Sequence, residues 1–169
     1  MTSEAIRKLD EAENHMVSTA FERRFSFRAG VTSSSWPAIT EPADSVTWSL
    51  DSLPDDSDYV ELDKLVELIN TALLQCTSPE GALLFMDWYH SIYRFKPHLL
   101  GPGDAPRWPR SPIPDGDYII NIAEDFSYGT FGHPWEWSLC VMGTPLLDRV
   151  ADGMDRILPR RLRVGGRPT

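Results

Sequence analysis

Residues 115–143, DGDYIINIAEDFSYGTFGHPWEWSLCVMG, constrain this chain more than any other stretch. Tyr118, Ile120 and Ile122 alternate with Asp117, Ile119, Asn121 and Ala123. The β-branched content at that period favours a strand over a helix. Glu124 and Asp125 supply a turn. Phe126, Tyr128 and Thr130 then alternate with Ser127, Gly129 and Phe131, up to a break at Gly132-His133-Pro134. A third strand is expected over Trp135 to Met142. Side chains alternate across a strand, so Trp135, Trp137, Leu139 and Val141 should share one face, with Glu136, Ser138, Cys140 and Met142 on the other. The pattern calls for a three-stranded antiparallel meander with an aromatic core face.

The rest of the chain alternates between helix and strand signals. Ile6, Leu9, Ala12, Met16 and Ala20 recur at helical spacing and predict a first amphipathic helix ending near Phe21 to Arg24. Phe25 to Arg28 reads as a short strand, and Val31 to Asp44, with three serines and two prolines, as a surface loop. Ser45 to Asp51 alternates as a strand. Asp58 with Glu61 forms a capping-box pattern ahead of a helix whose buried stripe is Leu62, Leu65, Val66, Ile69, Ala72 and Leu73. Leu83 to Met86 and Ile92 to Phe95 read as two joined strands, the first covered on both faces. Leu99 to Pro114 holds too much proline for regular structure. A last helix is expected from Thr144-Pro145, as N-cap and first helical residue, to Leu158.

At 169 residues the chain fits one domain, assigned to residues 1–159, and can bury roughly two thirds of its unfolded surface without a metal or disulfide staple. Cys76 and Cys140 lie far apart in apolar settings and read as buried free thiols, which points to a reducing compartment. The first 16 residues contain no apolar run of signal-peptide length, and nothing approaches the roughly 20 residues of a membrane span, so a cytoplasmic location is expected. Net charge is minus 9. Arg160, Arg161, Arg163 and Arg167 belong to a final segment without acids, which leaves minus 13 on residues 1–159. Such a body repels a phosphate backbone, and the arginine segment, residues 160–169, reads as a disordered tail rather than a nucleic-acid arm.

The motifs PDGDY, EDFSYGTFGHPWE and SLCVMG, with Asp87-Trp88-Tyr89-His90 and Tyr93-Arg94-Phe95-Lys96-Pro97-His98, give the chain a family likeness. It resembles the bacterial family known as domain of unknown function 2716, from about Ala20 to Leu158, with GHPWE the most specific element. The resemblance implies a compact single domain in an intracellular bacterial setting, and brings no activity with it.

The candidate catalytic residues are Asp87, His90, His133 and Glu136. Glu136, with Cys140 and Met142 as face neighbours, could have a raised pKa suited to general acid work; paired to Arg28 or Arg94 it would be structural. His133 could cap the turn at Pro134 or serve as ligand or base. Asp87, His90 and His98 match no standard zinc spacing, and HExxH and CxxC are absent, so no metal and no cofactor is expected. No nucleophile elbow and no phosphate-binding glycine loop occurs. Six tryptophans can be core or recognition residues. Trp36, Trp108 and Trp135 are the binding candidates, the first two because they sit in irregular, proline-containing segments.

The expected fold is α+β: an antiparallel sheet of about five to seven strands with about three helices packed mainly on one face. Two functions compete. One is a noncatalytic acidic protein-binding module of the immunity type, whose partner is a basic protein and not nucleic acid or membrane. The other is a small cofactor-independent enzyme using carboxylate and histidine acid–base chemistry.

Overall fold

A computed structural model describes residues 4–53 and 59–169. In chain order these form β1 (Ile6–Lys8), α1 (Glu11–Phe25), β2 (Ser45–Ser49), α2 (Val60–Cys76), β3 (Leu83–Met86), β4 (Tyr93–Phe95), β5 (Ile119–Ala123), β6 (Gly129–His133), β7 (Ser138–Met142), α3 (Thr144–Ile157), β8 (Arg161–Val164) and β9 (Arg167–Pro168). The strands make one sheet in the order β1-β4-β3-β5-β6-β7-β2-β8-β9, with every neighbouring pair antiparallel. The class is α+β as expected, but the described residues give nine strands rather than five to seven. No helix among them is long and apolar enough to cross a membrane.

The sheet separates two cores because its central strands are apolar on both faces. On one face Trp48, Leu83, Phe85, Ile119, Leu139 and Val141 pack under α2 and α3, through Leu65, Ile69, Leu73, Leu146, Val150 and Met154. Gly153 permits the helix contact: a Cβ there would stand 2.7 Å from Leu68 Cδ2. On the opposite face Leu84, Ile120, Ile122, Phe131 and Cys140 meet Phe21 and Phe25 of α1. The helices therefore divide two to one between the faces. Cys76 and Cys140 are both free thiols, but only Cys140 is fully buried.

Three local expectations are corrected. The helix expected from Ile6 is interrupted at Asp10, whose Oδ1 accepts the Glu13 N–H at 2.8 Å while Glu13 Oε2 accepts the Asp10 N–H at 2.9 Å. This capping box starts α1 at Glu11 and leaves Ile6–Lys8 free to pair with β4. Phe25 to Arg28 is not a strand: Phe25 ends α1 and Ser26 turns left-handed with φ 51°. The third meander strand begins at Ser138 rather than Trp135, because residues 134–137 form a turn in which Trp137 has φ 54°. That turn breaks the alternation, so Trp135 packs with the α1-side core and Trp137 with the α2/α3-side core. The capping box expected at Asp58 lies outside the described residues.

Residues 160–169 are likewise not a disordered tail. Arg161–Val164 pairs with β2 and, through a two-residue turn at Gly165-Gly166, with Arg167-Pro168. Both glycines have positive φ, 57° and 76°, the requirement of a tight antiparallel hairpin. What composition could not show is that the arginines of this segment have acidic partners: Arg161 pairs with Asp155, and Arg163 with Glu41 and Glu136.

Candidate functional site

The four catalytic candidates fall into two pairs, each produced by a turn. The first lies in the segment that follows β3. Asp87 Oδ1 accepts the His90 N–H at 2.7 Å, and its Oδ2 lies 2.8 Å from His90 Nδ1. One carboxylate thereby closes the turn and fixes the imidazole. The Asp87 side chain is 3% exposed and that of His90 68%. Both residues, with Phe85, Tyr93 and Arg110, line a cavity of about 390 Å³.

Asp117 joins this pair, and spacing in the sequence did not single it out. The pairing of β3 with β5 sets Met86 opposite Ile120 and so carries the segment before β5 alongside the one after β3. Asp117 accepts the Tyr118 N–H at 2.7 Å. Burial raises its carboxyl pKa above the ordinary value, and the neighbouring Asp87 adds to the rise. His98 does not belong here; its Nε2 lies 2.7 Å from the Thr77 carbonyl.

The second pair sits at the β6–β7 turn. Because His133 opposes Ser138 across the hairpin, residues 134–137 fold back and bring the Glu136 N–H to His133 Nδ1 at 3.1 Å. His133 is 1% exposed, and burial lowers its pKa to about 4. Its Nδ1 is thus an acceptor and the proton is on Nε2, which has no hydrogen-bond partner among the described residues. The ring lies among Trp36, Tyr118, Phe131 and Trp135, with centroids 5.0 to 6.4 Å away. The turn-capping reading of His133 accounts for this geometry.

Glu136 does pair with an arginine, but with neither Arg28 nor Arg94. Arg163 donates to both its oxygens, at 2.6 and 2.8 Å, and Ser138 Oγ donates to Oε2 at 2.6 Å. Arg94 is engaged by Glu124 instead. Arg163 Nε also reaches Glu41, which accepts a 2.7 Å bond from Thr47. Burial pushes the Glu136 carboxyl up, yet the Arg163 and Ser138 hydrogen bonds outweigh it and hold the pKa below the ordinary value. A carboxylate so held has lost the property that suggested general acid work.

The binding candidates are all half-buried and tied into the fold. Trp36 rests edge-on against His133, Trp108 against Phe95, and Trp135 against Tyr118. Exposed aromatic surface lies elsewhere: Tyr59 is 61% exposed, and on the loop carrying the first pair Trp88 is 39% and Tyr89 73% exposed, with centroids 4.4 Å apart. Trp88 also touches Tyr118 and Trp135, so the two pairs of candidates are joined by a continuous set of rings rather than by a shared cavity.

Comparison with known proteins shows the family alone. The protein is similar to the uncharacterised protein YxiI of Bacillus subtilis (strain 168), 36% identical over 75 residues, which is 44% of this chain and 46% of that protein. The chain therefore spans about half the length of the curated relative it matches. No solved structure matches. The profile of the family described as protein of unknown function DUF2716 matches residues 8–147, from β1 into α3, and the chain belongs to that family.

Proposed function

We propose that this protein is a noncatalytic module that binds a basic protein partner, of the kind that neutralises a toxin or nuclease, and that the segment Asp87–His90 is its recognition edge. The observation that carries the reading is the exposed Trp88–Tyr89 pair. Tryptophan and tyrosine concentrate the binding energy of protein interfaces, and adjacent exposed rings are unusual on a surface with no partner. A net charge of minus 9 favours encounter with a cationic partner.

The test is affinity capture from the native cell with the parent chain and with the double variant Trp88→Ala, Tyr89→Ala. A basic protein should be retained at low salt, released as salt rises, and missed by the variant. Recovery of no basic protein at low salt, or equal recovery by parent and variant, would count decisively against the reading.

A second reading, a cofactor-independent acid–base enzyme, is favoured by the Asp87–His90 pair, in which a buried carboxylate orients an exposed imidazole beside a cavity. It requires turnover, in a panel of chromogenic esters and amides, that His90→Ala abolishes and the double aromatic variant does not. The second pair adds nothing to it, since His133 Nδ1 and the Glu136 carboxylate are both engaged.

A further inference from the structure

We infer that Asp87, His90 and Asp117 form a binding site for a first-row divalent cation such as Mn²⁺, Co²⁺ or Zn²⁺. One oxygen of each aspartate and a ring nitrogen of His90 all lie within 4.8 Å of one another. The three are not neighbours in the chain: the β3–β5 register assembles them from two separate segments. Metal–ligand bonds of about 2.0–2.2 Å set donors about 3–3.5 Å apart around one ion. Asp87 Oδ2 and His90 Nδ1 already stand at 2.8 Å, so the set closes on an ion through a displacement of Asp117 by about 1–2 Å. Imidazole nitrogen with carboxylate oxygen, and no thiolate, is a donor set for these borderline to hard cations rather than for soft ones.

Charge supplies a second, separate argument. The Asp87 side chain is almost wholly removed from water and Asp117 is half-buried, yet among the described residues no lysine or arginine lies within ion-pair distance of either. The other deeply buried carboxylates, Glu41 and Glu136, do have a guanidinium between them. A doubly charged cation would neutralise the two aspartates in the same way, since burial of like charges without a counter-ion is costly. The cavity beside Asp87 and His90 gives the ion a route in and room for the waters that complete its shell. To bind an ion, His90 would turn the lone pair of Nδ1 toward it and carry its ring proton on Nε2. None of this rests on the partner-binding reading.

The experiment uses the full chain after chelator treatment, titrated with MnCl₂ by electron paramagnetic resonance of the free ion and with CoCl₂ by visible absorption. Four proteins are compared: the parent, His90→Ala, Asp117→Asn, and His15→Ala as a histidine outside the cluster. One ion per chain is expected in the parent and in His15→Ala. Affinity should fall at least tenfold in His90→Ala and Asp117→Asn, and added metal should raise the melting temperature of the parent but not of these two. His90 is exposed, so its substitution leaves the fold intact, which circular dichroism verifies. Absence of saturable binding in the parent, or equal affinity in parent and His90→Ala, would overturn the inference.

Discussion

Arg163 and Glu136 face each other across β8 and the β6–β7 turn as a two-pronged ion pair, Nη1 to Oε1 at 2.6 Å and Nη2 to Oε2 at 2.8 Å, with both side chains largely buried. The same guanidinium donates to Glu41, so one cation compensates two buried carboxylates. Removing one member of such a set strands the others without a counter-charge, which typically costs about 3–5 kcal/mol. Arg163→Ala should lose stability in that range by denaturant unfolding. Arg160→Ala is the control, since the Arg160–Asp51 pair is exposed on both sides and should contribute less than about 1 kcal/mol. Equal effects of the two substitutions would refute the role given to Arg163.

Deletion of residues 160–169 should be more damaging still. It removes β8 and β9, uncovers the edge of β2, and leaves Glu41 and Glu136 buried without Arg163. Taking a loss of about 3 kcal/mol or more, the melting temperature should fall by at least about 6 °C. A truncated chain that melts with the parent would show that the hairpin contributes nothing to the fold.

The segment also marks the limit of what the amino-acid sequence conveys. Gly165-Gly166 between Val164 and Arg167 is a hairpin signal, yet four arginines and few apolar residues argue for disorder, and nothing local announces that Glu41, ahead of β2, and Glu136, in the β6–β7 turn, supply the partners of Arg163. The meander was legible because alternation is a local property: β5, β6 and β7 pair as the pattern required. Helices α2 and α3 were legible for the same reason. Of the candidate site, Asp87 with His90 could be read from a three-residue spacing, whereas Asp117 depends on strand register. Trp135 and Trp137 show a third kind of limit. Their faces were reversed relative to each other by one left-handed residue, which a period of two does not reveal.

Gly129 tests the close approach of β5 and β6. A Cβ at this position would lie 2.5 Å from the Asn121 carbonyl oxygen and 2.7 Å from Ile122 Cα, and backbone in the middle of a sheet has little room to shift. Gly129→Ala should therefore destabilise by about 1–3 kcal/mol. Gly101→Ala, with nothing within 4 Å of the added carbon, should be close to neutral in the same urea titration.

The two thiols should differ sharply in reactivity. Burial raises both, and pushes Cys140 up to about 12, so at neutral pH almost no thiolate exists there and reagent has no access. A thiol-reactive chromophore should modify Cys76 in the folded protein, with Cys140 reacting only on unfolding. Mass mapping that finds Cys140 labelled at the rate of Cys76 would contradict its placement under α1.

The pH dependence of stability should carry the signature of His133. In the unfolded chain this imidazole titrates near 6.5, and in the fold burial lowers the value to about 4. Between those two values the unfolded state binds the extra proton, so stability rises with pH across the window. The contribution is complete above about 6.5, is lost as pH falls toward about 4, and changes no further below that. At 1.36 kcal/mol for each pH unit the separation corresponds to about 3 kcal/mol. Glu136 acts on the acid side of this window: its folded pKa lies below the unfolded value of 4.5, so its contribution is present above 4.5 and fades as pH falls further. His133→Asn separates the two, because the amide oxygen can still accept the Glu136 N–H while removing the titrating group. Denaturant unfolding at a series of pH values from 4 to 7 should give a steep slope for the parent and a much flatter one for the variant above about pH 5. Parallel slopes would mean that His133 is protonated in the fold as readily as outside it.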